Sequence, residues 1–183
     1  MKILVIGDTH GKLNKVKDVW KKLKDIDLIA HTGDHISDAK LLQMEFGVPV
    51  TAVQGNCDGS YSDDDFAIIE TEYGRLLLTH GHMENVKYSL SNLMYKAMEN
   101  DCKAAIFGHT HQAIIDEANG MHFVNPGSLT QPRDGSDGSY AIIRTSEDSF
   151  DASIVYYSTI MGGGFKKKQS GFLRSLMNYS DRF

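Results

Sequence analysis

The sequence predicts an α/β sandwich of mixed β-sheets flanked by helices. The first half alternates apolar runs with amphipathic helical stretches, a β-α-β-α-β rhythm that implies a parallel sheet covered by helices. The second half is richer in paired strand-like runs joined by tight turns. Asp, His and Asn side chains gather just after several of these runs, where open α/β sheets bind their ligands.

Lys2–Gly7 is a continuous apolar run and reads as a buried strand. It resembles the start of a signal peptide, but the apolar stretch is short and runs straight into Asp8, Thr9 and His10, so a cytoplasmic location is expected. Leu13, Val16, Val19, Trp20 and Leu23 have helical spacing, which predicts a helix over Lys12–Lys24 with Trp20 in the core. Leu28–Ala30 is a short strand ending at His31-Thr32-Gly33-Asp34. Asp38–Phe46 reads as a helix with Ser37 or Asp38 as N-cap. Val48–Val53 is the third strand and leads into Gln54-Gly55-Asn56-Cys57-Asp58.

Ala67–Glu72 and Arg75–Thr79 flank Tyr73-Gly74 as two antiparallel strands. Val86–Met98 is a core-packing helix, and Ala104–Phe107 a strand that runs into Gly108-His109-Thr110-His111. Ala113–Glu117 and Met121–Val124 flank Asn119-Gly120, a dipeptide that favours a type I′ hairpin turn. Ser139–Thr145 and Ala152–Tyr157 close the second half.

A chain of 183 residues suits one domain with one substantial core. Residues 1–161 read as that domain, and Gly162-Gly163-Gly164 opens a separate tail over 162–183. No apolar run approaches the length of a membrane span. Two cysteines, Cys57 and Cys102, make no disulfide framework and suit a reducing compartment. The net charge of −5 divides into −9 for residues 1–161 and +4 for the tail, so the body argues against nucleic acid as a partner. In the tail, Phe172, Leu176, Tyr179 and Phe183 recur at helical spacing behind Lys166-Lys167-Lys168. The stripe reads as a helix docked on its own domain or on a second copy in a homo-oligomer. A membrane-surface or anionic-partner anchor is the alternative.

Five predicted strands end in groups able to bind metal: Asp8 and His10; Asp34; Asn56; His80; His109 and His111. Glycines flank almost every cluster, which lets the backbone turn sharply and approach a ligand closely. Imidazole with carboxylate, and no thiolate, suits Mn, Fe, Zn, Ni or Co better than a closed structural zinc site. Asp8 and His10 lie two apart and can face one ion, as can His109 and His111, while Asp34 could bridge two.

The set Asp8-x-His10, Gly33-Asp34, Gly55-Asn56, His80-Gly81-His82 and Gly108-His109-x-His111 resembles the calcineurin-like metallophosphoesterase superfamily in order and spacing. Asn125-Pro126-Gly127-Ser128 followed by Arg133 is similar to its small prokaryotic YfcE-like phosphodiesterase subgroup. The resemblance covers about the first 160 residues and implies a metallophosphoesterase-type sandwich of two mixed sheets. It implies that Asp8, His10 and His111 hold one divalent ion, that Asn56, His80 and His109 hold a second, and that Asp34 bridges them, with manganese first among the candidates. Asp34, Asn56 and His80 are placed as catalytic residues. The implied reaction is hydrolysis of a small phosphodiester by attack of a metal-bound hydroxide. A retromer-subunit-like scaffold of the same fold and a nuclease are the competing functions. The intact ligand set argues against the first, and the acidic body against the second.

Many superfamily members read Gly-Asn-His where this chain reads Gly55-Asn56-Cys57. That histidine is thought to assist the leaving group, and a thiol is a weaker donor for the task. Several small members also carry Cys here and resemble slow phosphodiesterases, so diesters with good leaving groups are the expected substrates. His31 reads as a hydrogen-bonding support for the ligands, Asp58 as a nearby orienting group, and His35 and His82 as neighbours of the site. Arg133 is placed to contact substrate phosphate or to brace its loop. His122 is expected at the surface.

Overall fold

A computed structural model describes residues 1–59 and 65–162. The first half contains β1 (Lys2–Ile6), α1 (Asn14–Trp20), β2 (Leu28–His31), α2 (Ile36–Phe46) and β3 (Val50–Ala52). Next come β4 (Phe66–Glu70), β5 (Arg75–Thr79), α3 (Ser91–Glu99), β6 (Cys102–Ile106), β7 (Ala113–Ala118) and β8 (Met121–Pro126). β9 (Ser139–Thr145), β10 (Phe150–Tyr156) and the short α4 (Tyr157–Ile160) complete the described chain.

Two five-stranded sheets result, ordered β10-β9-β1-β2-β3 and β4-β5-β6-β8-β7. Both are mixed, as the sequence predicts. β1, β2 and β3 pair in parallel, while β9 is antiparallel to β1. In the second sheet β5, β6 and β8 are parallel, and β4 and β7 are antiparallel edges.

Period-two alternation along each strand decides what is buried where. Ile3 and Val5 of β1 face the second sheet, packing with Leu76, Leu78, Ile106 and Val124. Leu4 and Ile6 point the other way, under Val16 and Val19 of α1 and Leu42 of α2. Leu77, Ala105 and Phe107 bury the outer face of the second sheet against Leu93 and Ala97 of α3. Each such aliphatic side chain contributes about 1.5–3 kcal/mol relative to exposure, so the three layers hold the strand ends rigidly in register. Trp20 stacks on Phe46 at 4.3 Å between α1 and α2.

The helices differ from their sequence reading at their ends. α1 spans Asn14–Trp20 rather than 12–24, because Lys22 and Leu23 bond back three residues and tighten its last turn. α2 starts at Ile36, one residue before Ser37, because its first N–H groups are capped from a distant loop by Asp58. Asp38 does not cap; its carboxylate accepts from Thr9 Oγ1 at 2.7 Å and the Gly11 N–H at 2.9 Å. α3 starts at Ser91 rather than Val86, because residues 82–88 form a turn in which Asn85 takes φ +56°, and the Ser89 hydroxyl accepts the Ser91 N–H where the helix begins. His122 is half-buried and stacks on Phe150 at 4.6 Å.

Among the described residues no helix is long and apolar enough to cross a membrane. The aromatic stripe of the tail lies outside the described residues.

Candidate metal centre

The loops that follow β1, β2, β3, β5 and β6 meet at one end of the sandwich, where the two sheets face each other. The first sheet supplies Asp8, His10, Asp34 and Asn56, and the second supplies His80, His109 and His111. All seven sequence-predicted side chains come together there.

Asp8, His10, Asp34 and His111 form one pocket in which a ligand atom of each lies within 4.8 Å of the others. His111 Nε2 is 3.3 Å from Asp8 Oδ1 and 3.4 Å from His10 Nε2. A second pocket lies beside it. There His80 Nε2 is 3.1 Å from Asn56 Oδ1 and 3.2 Å from His109 Nδ1. The Asp34 carboxylate stands between the two, with Oδ2 3.6 Å from His10 Nε2 and Oδ1 3.5 Å from His80 Nε2.

The backbone that brings these groups together is unusual. Asp8, His10, Asp34, His109 and His111 all have φ between +47° and +66°. That left-handed region costs an L-residue about 1 kcal/mol or more, and Asp is among the residues that tolerate it best. It reverses the chain sharply enough for residues two apart to face one point. Glycines make room for the approach of the loops. A Cβ on Gly55 would overlap the Asp34 carboxylate, and one on Gly108 would press on Asp8 and Thr32.

The donor set fits a cation. His80 Nδ1–H donates to the Thr32 carbonyl at 2.8 Å, and His111 Nδ1–H to the Gln131 carbonyl at 2.7 Å. Each bond assigns the ring proton to the far nitrogen and leaves the Nε2 lone pair aimed inward, the arrangement usual for metal-binding histidines. His80 Nε2 then faces Asn56 Oδ1 acceptor to acceptor, which a positive ion between them would satisfy.

Charge follows the same logic. Burial holds the His109 imidazole down at about 4, with His80 adding to the effect. Burial also lowers His10, against the pull of Asp34. For His111, burial pushes down, but the hydrogen bond and charge of Asp8 outweigh it and the value is raised. Asp34 is lowered although burial opposes ionisation, because His80 and the Cys57 N–H at 3.0 Å favour the carboxylate. The centre is thus a carboxylate-bearing bowl in which burial favours the neutral imidazole at His10 and His109, while Asp8 favours the charged form at His111.

The remaining predicted residues surround it. His31 is fully buried, and burial lowers it to about 4 despite Asp8 and Asp38. Its ring bridges the Gly33 N–H and Thr9 Oγ1. Asp58 accepts N–H bonds from His35, Ile36 and Gly55, tying the Asp34 loop to the Asn56 loop. Cys57 is exposed, its Sγ 3.5 Å from Asn56 Nδ2, and burial together with Asp34 raises its thiol. Arg133 has an exposed side chain, and its N–H donates to the His111 carbonyl at 2.9 Å. His35 lies edge-on to His10 at 5.8 Å, and His82 sits 5.2 Å from His80. Sequence reasoning missed Thr9, Asn125, Ser128 and Thr130, buried or half-buried groups whose hydrogen bonds hold the ligand loops. Asn125 and Ser128 stand out in the sequence only as part of the Asn125-Pro126-Gly127-Ser128 run, which assigns them no partner, and Thr9 and Thr130 only as small polar residues beside ligand loops.

The fold and centre define a phosphoesterase class. The sequence profile of the calcineurin-like phosphoesterase superfamily domain matches residues 1–148, and the chain belongs to that superfamily. The probable metallophosphoesterase YsnB of Bacillus subtilis (strain 168) is 32% identical over 158 residues, 86% of this chain and 90% of that protein. The phosphodiesterase YfcE of Escherichia coli (strain K12) is 27% identical over 173 residues, 78% of this chain and 87% of that protein. Among solved structures, a predicted phosphoesterase from Streptococcus pneumoniae TIGR4 superposes with a TM-score of 0.72 at 25% identity. That match covers 85% of this chain and 89% of the other.

Proposed function

We propose that the chain is a phosphodiesterase that works with two divalent transition-metal ions, manganese first, on a small phosphodiester. Asp8, His10 and His111 hold one ion, Asn56, His80 and His109 the other, and Asp34 is shared. The observation that carries this reading is the Asp34 carboxylate, whose two oxygens each face a different pocket. Bound ions would supply Lewis acidity toward the phosphoryl group and lower the pKa of a water between them. The protein's own part is to hold the lone pairs convergent, with the Nδ1–H of His80 and of His111 tied to backbone carbonyls, so that little rearrangement is needed on loading. The exposed Cys57 thiol, with its raised pKa, is a poor proton donor to a leaving oxygen, which favours esters whose leaving group departs unaided. Arg133, whose backbone N–H bonds to the His111 carbonyl, is our candidate to receive the phosphate as a fork donor.

The test is a metal-reconstituted screen of aryl phosphodiesters, aryl monoesters, cyclic nucleotides and nucleic acid, together with metal analysis. The expected result is two ions per chain and highest turnover on aryl diesters, with Asp34→Asn inactive. Wild-type turnover in Asp34→Asn would refute the shared carboxylate.

A further inference from the structure

The loop after β8 contributes none of the seven predicted ligands, yet it touches each end of the Asp8 pocket. Its hub is Ser128, which is fully buried. Ser128 Oγ donates to the Asp8 carbonyl at 2.9 Å and accepts the N–H groups of Thr130 at 3.2 Å and Gln131 at 3.0 Å. The Gln131 carbonyl is the acceptor for His111 Nδ1–H. One hydroxyl therefore connects the backbone of Asp8 to the ring of His111 through a single residue, Gln131. Thr130 Oγ1 also reaches the Asp8 carbonyl, at 3.0 Å. Among the described residues Ser128 makes no hydrogen bond to Asn56, His80 or His109, and it reaches the second pocket only indirectly, through the Asp8 carboxylate that accepts the His109 N–H at 3.2 Å, so its influence falls mainly on one of the two pockets.

We propose that Ser128 is a positioning residue for the ion held by Asp8, His10 and His111, an inference that rests on the two-ion reading above. Asp8 sits at φ +50°, a conformation that relaxes unless its neighbouring peptide groups are tied down. The Ser128 bond ties its carbonyl, while the Asp8 N–H is held by the Gly33 carbonyl at 3.1 Å. Fixing Gln131 at the same time presents an acceptor to His111 Nδ1 and keeps Nε2 free of a proton. Without the hydroxyl, the Asp8 carboxylate and the His111 lone pair lose their shared reference point. Outer partners of metal ligands set about 10–100-fold of affinity.

Calorimetric titration of the full chain with Mn²⁺ alone tests this, with melting of the metal-free protein alongside. In Ser128→Ala one ion should weaken by about 10–100-fold, the same ion that His10→Ala loses, while the other stays within about threefold. Thr130→Val should weaken that ion by less, since the link to Gln131 survives, and Ser128→Thr should retain its affinity. If Ser128→Ala does not fold, Thr130→Val carries the same expected selectivity. Equal weakening of both ions, no weakening, or a folded Ser128→Thr as weak as Ser128→Ala overturns the proposal. A wild type that binds one ion refutes the two-ion reading instead. The effect of Ser128→Ala on that single ion then decides whether the positioning role stands.

Discussion

Asp58 offers the sharpest test of how the two ligand loops are held together. Its Oδ1 accepts the N–H groups of His35 at 2.8 Å and Ile36 at 2.7 Å, and its Oδ2 accepts that of Gly55 at 2.8 Å. The residue at the N-cap position of α2, His35, makes no side-chain cap bond, so Asp58 does the capping from across the site. Losing an N-cap costs about 1 kcal/mol. The bond to Gly55 is charge-assisted on a half-buried group, worth about 1–2 kcal/mol. Asp58→Ala should therefore destabilise the metal-free protein by about 2–3 kcal/mol. At about 2–4 °C per kcal/mol for a domain of this size, melting falls by about 4–12 °C. Asp58→Asn keeps an oxygen for the helix but sets an amide donor against the Gly55 N–H, so it should lose about half as much. The assay is thermal unfolding in chelator, followed by initial rates on the reconstituted protein. Because Asp58 spans the Asp34 and Asn56 loops, turnover should fall in both variants. An Asp58→Ala protein that melts within 1 °C of wild type, about the smallest shift a fraction of a kcal/mol would give, refutes the capping argument.

Cys57→His should raise turnover on aryl monoesters more than on activated diesters, because a histidine supplies a proton that a nitrophenolate does not need; equal responses would remove Cys57 from the leaving-group side. Lys96 bonds Asp65 and the buried Glu84 at 2.7 Å each, and those bonds hold its ammonium above the usual 10.5 although burial pushes it down. Its stabilising contribution is therefore fully present below pH 10.5 and lost as pH rises through the raised value. Lys96→Met should cost about 2 kcal/mol at neutral pH, with the gap to wild type closing above that value in denaturant titrations; a gap independent of pH would refute it. Truncation after Gly162 should alter solubility, melting temperature or oligomer size while leaving metal content and specific activity near wild type. Light scattering, metal analysis and rates on one preparation check this, and a soluble, metal-loaded, inactive product would place the tail in the active site.

The strands and the seven convergent side chains were legible because each depends on local pattern. The apolar run of β1 ends in Asp8-Thr9-His10, and the turn of β7–β8 is announced by Asn119-Gly120. What was not legible depends on partners distant in sequence. The start of α2 cannot be read from Ser37 or Asp38 when the cap comes from Asp58 and Asp38 is occupied by Thr9 and Gly11. Ser128 gives no hint in sequence that it meets Asp8, 120 positions away. The left-handed ligands were hidden too, since glycine is the usual flag for that geometry and here Asp and His adopt it.

The pairing of β1 with β9 has a consequence for how the polypeptide is made. Lys2 lies opposite Arg144, so β1, which precedes the other described strands, gains its second neighbour only when nearly the whole described chain has been translated. Until then β1, β2 and β3 form an open three-stranded platform with one inner edge unpaired, the kind of edge that invites pairing with other chains. The second sheet has no such wait, because β4 to β8 follow one another over residues 66–126 and pair only among themselves. Emergence from the ribosome thus favours completion of the later sheet first, with β9 and β10 then sealing the earlier one. The seven convergent side chains, all translated by His111, precede β9 and β10 in the chain.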